Sequence, residues 1–266
     1  MAAVEFSVPE PGVGLITLNR PDRMNAITWD WVEDFHAILD KLADDRSVRA
    51  VVLTGAGRGF CSGFDLKADH DFMQDDGPGA VAAKLDAMER LTAIPEKMLR
   101  ARQPIIAAVN GAAMGAGFAI VLAADIRVAS DAVSFSVANA RIGLSAGECG
   151  ISWLFPRLVG LSRCFELLVT GRVFDAEEAD RIGLLSRRTG PESLMDTAMD
   201  IARSIAANSG FAVRMSKDVI YAAISAPDFR TASILENRTQ MLCGTTGDVK
   251  EAMSAFRQKR PPRFSA

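Results

Sequence analysis

One stretch of twenty residues restricts the folds open to this chain more than any other. Residues 105–124 read IIAAVNGAAMGAGFAIVLAA and carry a single polar side chain, Asn110. Such a run is either a membrane-spanning helix, which the spacing of Gly111 and Gly115 would suit, or a buried strand, turn and helix. We favour the second interpretation, because IIAAV has the pattern of a buried strand and the glycines weaken one continuous helix.

Strand and helix patterns alternate along the first two-thirds of the chain. After an apolar strand in GVGLITLNRP, Thr28 is the expected N-cap of a helix over 28–43. The next predicted elements are strand 49–55, helix 80–100, and strands 125–130 and 133–137. This alternation favours an α/β fold in which right-handed crossovers join parallel strands.

From about Cys149 onward the pattern is mostly helical. Helices are predicted at 149–158, 161–169, 175–181, 191–207, 210–224, 228–242 and 246–257. Amphipathic helices that follow a completed sheet need a partner surface, so we expect the chain to self-associate.

Composition argues against several classes of protein. Among 266 residues, 30 basic and 33 acidic side chains give a net charge of −3, which offers no general attraction for nucleic acid or an anionic membrane. The four cysteines lack the spacing of a zinc site or a disulfide framework, and the two histidines are far apart, so no metal site is expected. The N-terminus shows no secretory signal, and a reducing, cytoplasmic location is expected.

Three further motifs resemble known sites without their required context. GLSAG places Ser145 as in a serine-hydrolase elbow, but that fold needs an Asp and then a His later in the chain, and both histidines precede Ser145. GAGRG and GAAMGAG are glycine-rich, yet they match neither a P-loop nor a dinucleotide motif. The acidic stretch 68–79 has the composition of a mobile loop, in which His70 is expected to be solvated.

Two segments have the composition that exposes backbone N–H groups to a ligand. FCSGFDL and NGAAMGAGF both place small residues just after a strand, and the second leads into a helix. A helix N-terminus carries unsatisfied donors, and small side chains let an anion approach them closely. Tight packing alone would also explain these glycines, so the segments by themselves leave both interpretations open.

Taken together, five motifs resemble the crotonase superfamily, whose founding activity is enoyl-CoA hydratase. They are LITLNRPDRMNA, VVLTGAGRGFCSGFDL, PIIAAVNGAAMGAGFAIVLAADIRVAS, FSVANARIGL and AMSAFRQKRPPRF, which cover residues 4–264 in order. The resemblance implies an α/β fold: a crotonase-like spiral of repeated ββα units, over 1–200, followed by a C-terminal helical trimerisation region, over 201–266. It also implies an acyl-CoA thioester substrate, no metal or redox cofactor, and a homotrimer or dimer of trimers.

The resemblance assigns site residues as well. The amides of Ser62 and Ala116 would form an oxyanion hole around the thioester carbonyl. The residues that would line the CoA pocket are Arg23, Met24, Ala26, Ser62, Phe64, Asp65 and Leu66. Lys259 resembles a C-terminal cation that reaches a CoA phosphate, often on a neighbouring subunit, although the basic run around it is also typical of a solvated tail.

The chain departs from the family at its acids. Hydratases of this family use two glutamates, and this chain has Ala119 and Asn139 at those positions. Glu148, the only charged side chain between Arg141 and Arg157, falls near a third acidic position that dienoyl-CoA isomerases use, with a one-residue difference in spacing. It is either the lone acid/base of the pocket or a loop glutamate that faces solvent or caps the following helix.

The functional hypothesis is an enzyme of the enoyl-CoA hydratase/isomerase family that works through an oxyanion-stabilised enolate. One carboxylate suffices to move a proton from C2 to C4, so isomerisation is favoured over hydration on mechanism. The alternatives are a catalytically inactive acyl-CoA binding protein with this fold and a CoA-thioester hydrolase.

Overall fold

The fold contains two β-sheets, seen in a computed structural model that describes residues 2–65, 67 and 77–264. The larger sheet has the order β1-β2-β3-β5-β7-β10, and the smaller has the order β4-β6-β8-β9. The strands are β1 Val4–Glu10, β2 Val13–Leu18, β3 Ala50–Gly55, β4 Gly59–Cys61, β5 Ile105–Val109, β6 Ala112–Met114, β7 Ile126–Ser130, β8 Ser134–Ser136, β9 Phe174–Asp175 and β10 Arg187–Thr189.

The helices follow the strands in the order expected from the sequence. They are α1 Trp29–Asp44, α2 Ala80–Arg100, α3 Ala116–Ala123, α4 Ile151–Val159, α5 Leu161–Thr170, α6 Ala176–Arg181, α7 Leu194–Ala206, α8 Gly210–Ala223, α9 Phe229–Gly244 and α10 Gly247–Arg257. A short 3₁₀ helix, Asn139–Ile142, follows β8. Thr28 is the N-cap of α1 as predicted, because its side chain accepts a hydrogen bond from the Trp31 amide.

From β3 to β8, successive strands alternate between the two sheets, which produces a repeated ββα unit. β3 enters the larger sheet, β4 the smaller, and α2 follows; β5, β6 and α3 repeat the sequence. Within the larger sheet β2, β3, β5, β7 and β10 pair in parallel, while β1 and β2 form an antiparallel hairpin. The predicted spiral of ββα units is confirmed.

The larger sheet is buried on both faces. Val51 and Leu53 of β3 belong to the main core, which also includes α1, α2 and α3, whereas Ala50 and Val52 pack with α7. Burial on both faces explains why the central strands are almost wholly apolar. All eight residues of α3 are buried.

The stretch 105–124 is therefore not one helix. It forms β5, the short strand β6 and the buried helix α3, as the strand, turn and helix interpretation predicted. Among the described residues, no helix is both long enough and apolar enough to span a membrane.

The C-terminal helices contrast with this core. The predicted boundary at residue 200 falls inside α7, which packs against β2, β3, β5 and β7. By contrast, α9 has no buried residue. Its large apolar side chains are exposed to solvent: Phe229, at its start, is 84% exposed and Met241 is 71% exposed. Large apolar side chains on a helix without burial indicate a surface that another element covers.

Candidate active site

The first part of the candidate site is the loop between β2 and α1. Met24 and Asn25 both adopt a left-handed backbone conformation, with φ of 52° and 54°. The fully buried Asn25 side chain holds this conformation: Nδ2 donates to Ala56 O at 2.9 Å and Gly59 O at 2.8 Å, and Oδ1 accepts from the Arg20 amide at 2.8 Å. Sequence reasoning missed Asn25, although an asparagine in RMNA is a residue that tolerates this conformation.

This loop pairs with the segment that follows β4. The Ile27 amide donates to Gly63 O at 2.8 Å, and the Asp65 amide donates to Ile27 O at 3.0 Å. Two predicted segments, residues 23–26 and 62–65, therefore lie side by side. Because the Gly63 carbonyl points toward Ile27, the N–H of the same trans peptide, which belongs to Phe64, points away from it.

The predicted oxyanion donor Ser62 requires a correction. Its amide donates to Met24 O at 3.0 Å, so this N–H is directed at the loop and not at a ligand. Its hydroxyl contacts Arg23 O at 3.5 Å. The reason is the turn at Gly63, with φ of 86°, which reverses the direction of the next peptide and which the sequence pattern does not specify.

The second predicted donor, Ala116, is the first residue of α3. As such its amide has no acceptor within the helix, and the preceding Gly115 offers no side chain to cap it. The two donor segments are close together: a Cβ atom added to Gly63 would lie 2.8 Å from Met114 O and 3.8 Å from the Ala116 nitrogen. A side chain at position 63 would force these segments apart.

Glu148 begins the turn into α4. Its carbonyl accepts from the Ile151 amide at 2.8 Å, and the next two residues, Cys149 and Gly150, have φ of 48° and 82°. The Cys149 side chain is buried, and the Thr92 hydroxyl of α2 lies 4.0 Å from its sulfur. This buried anchor directs the Glu148 side chain toward α3.

The Glu148 carboxyl lies against the turn that leads to Ala116. A Cβ atom on Gly115 would be 3.2 Å from Glu148 Oε1 and 3.8 Å from Asn139 Oδ1. Burial raises the pKa of the Glu148 carboxyl above its ordinary value, and the neighbouring Asn139 amide acts in the opposite direction. Glu148 is half-buried and does not face bulk solvent as a fully exposed loop glutamate would.

The two positions at which hydratases carry glutamates have different surroundings. Asn139 approaches the same Gly115 turn as the acid, whereas Ala119 is fully buried in the core and lies one turn into α3. The structure therefore places a neutral amide next to Glu148 at one of these positions and a methyl group at the other.

The predicted CoA-lining residues fall into three groups. Arg23, Met24 and Ala26 belong to the β2–α1 loop, beside Ser62 and Phe64. The Asp65 carboxylate is engaged within the protein: Arg20 Nη2 lies 3.1 Å from Oδ2, and the Lys67 amide donates to Oδ1 at 3.2 Å. Leu66 lies outside the described residues, as do His70 and most of the acidic stretch around it.

Lys259 is exposed and follows α10, with φ of 53°. Within the part of the chain that is described, it forms no hydrogen bond or ion pair with the other predicted site residues. The segment around it is ordered by Arg260, which pairs with Glu251 at 2.6 Å, and by Arg49, which donates to Phe264 O at 3.3 Å. Its predicted contact with a CoA phosphate stays a prediction.

No group of three or more potential metal ligands occurs among the described residues. The described cysteines are all free, and burial raises the pKa of the Cys61 and Cys149 thiols to about 12. These thiols are neutral near pH 7, so neither is a thiolate. The acid next to the Ala116 turn is therefore the Glu148 carboxyl.

A two-sheet ββα spiral with a half-buried acid beside a helix N-terminus defines the class of protein. The family model for enoyl-CoA hydratase/isomerase matches residues 9–266. The chain belongs to this family, and its relatives show that it is an enzyme of the crotonase superfamily.

Several relatives match over nearly the whole chain. A probable enoyl-CoA hydratase of Mycobacterium leprae is 41% identical over 259 residues, which cover 97% of this chain and 88% of that protein. The 1,2-epoxyphenylacetyl-CoA isomerase of Escherichia coli is 34% identical, with 96% of each chain covered. The crystal structure of a probable enoyl-CoA hydratase/isomerase from Mycobacterium abscessus has a TM-score of 0.90 and 40% identity, with 98% of each chain covered.

Proposed function

We propose that this enzyme moves the double bond of an enoyl-CoA thioester, with Glu148 as the acid and base. The observation that carries the proposal is the position of the Glu148 carboxyl, 3.2 Å from where a Gly115 Cβ would lie, beside the first amide of α3. An acid at this place is adjacent to the N–H group expected to hold the thioester oxygen. Its reacting partner would be the carbon next to that carbonyl.

The proposed reaction needs one carboxylate. Glu148 takes a proton from C2, the C–H electron pair passes into an enolate, and the negative charge develops on the thioester oxygen. The protonated Glu148 then returns the proton to C4, which moves the double bond from C3=C4 to C2=C3. A carboxyl whose pKa is raised by burial is suited to both steps, because it is a stronger base than a solvated glutamate and still able to release the proton.

For the oxyanion hole we propose the amides of Ala116 and Phe64, the latter in place of Ser62. Support comes from the Gly63–Phe64 peptide, whose N–H points away from Ile27, and from the close approach of Gly63 to Met114 O and the Ala116 nitrogen. Such donors typically contribute about 3 to 4 kcal/mol each to the stability of an oxyanionic transition state.

The test uses a 3-enoyl-CoA labelled with deuterium at C2, while the conjugated product is followed by its ultraviolet absorbance. A single acid that shuttles one proton delivers part of the label to C4, which mass spectrometry of the product detects. Formation of the conjugated product together with label at C4 is the expected result. Absence of turnover with any 3-enoyl-CoA, in the presence of binding, would instead identify an inactive acyl-CoA binding protein, and release of free thiol would identify a hydrolase.

Hydration is the second candidate, because relatives such as the Mycobacterium leprae protein are named as enoyl-CoA hydratases. Water addition to a 2-enoyl-CoA asks for a group that activates water in addition to one that protonates C2. Asn139 and Ala119 carry no such acid, so we expect hydration to be slower than isomerisation. The same assay with a 2-enoyl-CoA measures it, through loss of the conjugated absorbance.

We also propose that CoA enters only as part of the substrate and that the enzyme uses no metal or redox cofactor. We further propose that the protein assembles as a homotrimer or dimer of trimers through residues 201–266. The exposed apolar side chains of α9 and α10, such as Phe229 and Phe256, support the assembly. Light scattering on the purified protein gives its mass directly, and a monomer would contradict this part of the proposal.

A further inference from the structure

A cavity of about 390 Å³ lies at the edge of the larger sheet where β3 and β5 begin. Its walls come from the residues just before these two strands and from the starts of α8 and α10. The two strands are parallel, and β3 spans about 17 Å at the usual rise of a strand. The segments that carry Phe64 and Ala116 come after the other ends of these strands. The cavity is therefore separate from the candidate active site.

The walls of this cavity are basic. Four arginines and two carboxylates line it, in a chain whose net charge is −3. Both carboxylates bind neighbouring hydroxyl groups, because Asp45 accepts from Ser47 Oγ at 2.6 Å and Asp248 accepts from Ser209 Oγ. The excess of positive charge attracts an anionic ligand. The four arginines are Arg46, Arg49, Arg102 and Arg214.

Two of these arginines keep their donors for a ligand. Within the part of the chain that the structure describes, the side chains of Arg46 and Arg102 form no hydrogen bond or ion pair. Arg214 Nε lies 3.6 Å from Asp218 Oδ2, on the next turn of α8. A guanidinium group presents five donors in one plane, and this geometry matches the oxygens of a phosphate group.

The starts of two helices add backbone donors to the cavity. Gly210 is the first residue of α8 and Gly247 is the first residue of α10, and both line the cavity. The Thr246 hydroxyl donates to Cys243 O at 2.8 Å and does not cap α10. A Cβ atom built on Gly247 would meet no described heavy atom from elsewhere in the chain within 4 Å. Space is therefore left beside uncapped amides, which bind phosphate oxygens well.

Two further side chains of the cavity favour a ligand that carries more than phosphate. Gln103 is 3% exposed, and its Nε2 donates to three backbone carbonyls, including Leu42 O at 2.9 Å. Among the described residues its Oε1 has no hydrogen-bond partner, so a ligand with an N–H or O–H donor suits this end of the cavity. The Phe211 ring, 39% exposed on the first turn of α8, offers an aromatic face on which a nucleobase stacks.

We propose that this cavity binds a nucleoside di- or triphosphate. The phosphate groups lie between Arg46, Arg102 and Arg214 and accept hydrogen bonds from the first amides of α8 and α10. The base stacks on Phe211, with its N–H groups toward the Gln103 end of the cavity. Such a ligand joins the two C-terminal helices to the end of the larger sheet, so its binding stabilises the folded protein.

The test is a calorimetric titration of the intact protein with ATP, in the presence of excess CoA so that the CoA pocket is occupied. We expect saturable binding that weakens as salt is added, because salt screens the attraction between arginine and phosphate. Arg46→Gln combined with Arg102→Gln should weaken binding by about tenfold or more, since charge-assisted hydrogen bonds are lost. Arg100→Gln is the matched control for the loss of charge and should leave binding unchanged, because Arg100 pairs with Glu96 and does not line the cavity.

A variant that keeps the charge tests the helix donors. Gly247→Pro removes the first amide of α10, and proline suits this position because Thr246 already has an extended backbone, with φ of −77° and ψ of 156°. We expect ATP to bind about tenfold more weakly to this variant. Thermal unfolding without ATP checks that the variant is folded.

A comparison of two ligands tests the nucleoside. Phe211→Leu should weaken the binding of ATP by about fivefold or more and leave the binding of inorganic triphosphate unchanged. Equal affinity of the parent for ATP and inorganic triphosphate would overturn the assignment to a nucleotide. The site itself would be overturned if no saturable binding occurred up to about 1 mM ATP, or if the Arg46→Gln and Arg102→Gln variant bound ATP as tightly as the parent.

Discussion

Two ionisable sites in this molecule, one buried and one half-buried, have opposite surroundings. At the junction of β7 and α8, Lys217 Nζ lies 2.8 Å from Asp125 Oδ2 and also donates to Met98 O at 2.9 Å and Gln103 O at 3.2 Å. Asp125 further accepts from the Ile105 amide at 2.7 Å and from Tyr221 at 3.0 Å. The Glu148 carboxyl, by contrast, forms no ion pair with the described residues and lies beside the Gly115 turn and the neutral Asn139 side chain.

The contrast separates a structural ion pair from the proposed reactive acid. Burial lowers the pKa of Lys217, but the charge of Asp125 opposes that effect, and every proton of the ammonium group has an acceptor. A buried charge with all its partners is stable and chemically inert, whereas a half-buried carboxyl that forms no ion pair with the described residues is able to exchange a proton with a ligand.

The inert ion pair lies next to a cavity that the Glu148 side chain does not line. The Lys217–Asp125 pair borders a cavity of about 710 Å³ that lies between α8, α10 and the end of the larger sheet. Its main polar side chains already bind one another, including Ser209, which donates to Asp248. Chemistry is expected where hydrogen-bonding capacity is left for a ligand, which is the case at the Glu148 site.

The largest effect is expected when the reactive acid loses its ability to exchange a proton. Glu148→Gln should lower kcat for 3-enoyl-CoA isomerisation by about 10² to 10⁴, because the amide cannot act as a base. Progress curves with matched enzyme concentrations measure the loss, and circular dichroism checks the fold. If Glu148→Gln kept more than half of the parent activity, the proposed role of Glu148 as the acid and base would be contradicted.

The next largest effect concerns stability at the other site. Lys217→Met leaves the Asp125 carboxylate buried without its cation, and we expect the free energy of unfolding to fall by about 3 to 5 kcal/mol. Denaturant unfolding measures this, and kcat per folded molecule should be unchanged. The double variant Lys217→Met with Asp125→Asn should regain part of the loss; if it does not, the pair is not the cause.

A smaller loss is expected when a backbone donor is removed. Ala116→Pro replaces the first amide of α3 at a position where proline suits a helix, so the fold should persist. We expect kcat to fall by about 10² to 10³, as for the removal of one oxyanion donor. The matched control is Ala176→Pro, because Ala176 is the first residue of α6 and lies away from the site. Ala112→Pro would not be a suitable control, because Ala112 belongs to strand β6.

The smallest effect is the pH dependence of stability. The pKa of Glu148 is raised in the folded protein above the ordinary value of 4.5, so the folded state binds more protons than the unfolded state in that window. The contribution of Glu148 to the free energy of unfolding is fully present below the pKa that the carboxyl has in the unfolded chain. It is lost as the pH rises through the pKa of the folded protein. We therefore expect the free energy of unfolding of Glu148→Gln to rise relative to that of the parent as the pH increases from 4. A difference between the two proteins that does not change with pH would contradict this prediction.

Long elements were predictable because their signals are repeated many times. Helix α2 spans the predicted residues 80–100, and α1 begins after its predicted cap, Thr28. The strands of the smaller sheet were mostly missed. β4 and β6 have three residues each, too few to show a period of two, and pairing with other short strands is what makes them strands.

The site was predictable in part for a related reason. Ala116 is the first residue of α3, within the segment that was expected to lead into a helix, and Glu148 lies beside it. Ser62 was the wrong donor, because the direction of a peptide N–H depends on the backbone turn at Gly63. Asn139 and Glu148 both approach the Gly115 turn, which brings a 3₁₀ helix and a separate turn together, and no spacing rule predicts this proximity.

By itself the sequence determined the class of fold, the buried segment 105–124, and the residue types available for chemistry, since these follow from composition, hydrophobic pattern and motif order. Only the tertiary structure decided which amide points to the loop of Met24, which turn the Glu148 carboxyl lies against, and which groups pair with Lys217. The physical reason is that hydrogen bonds and desolvation depend on distances of a few ångströms between segments far apart in the chain, and these distances exist only after the core has packed.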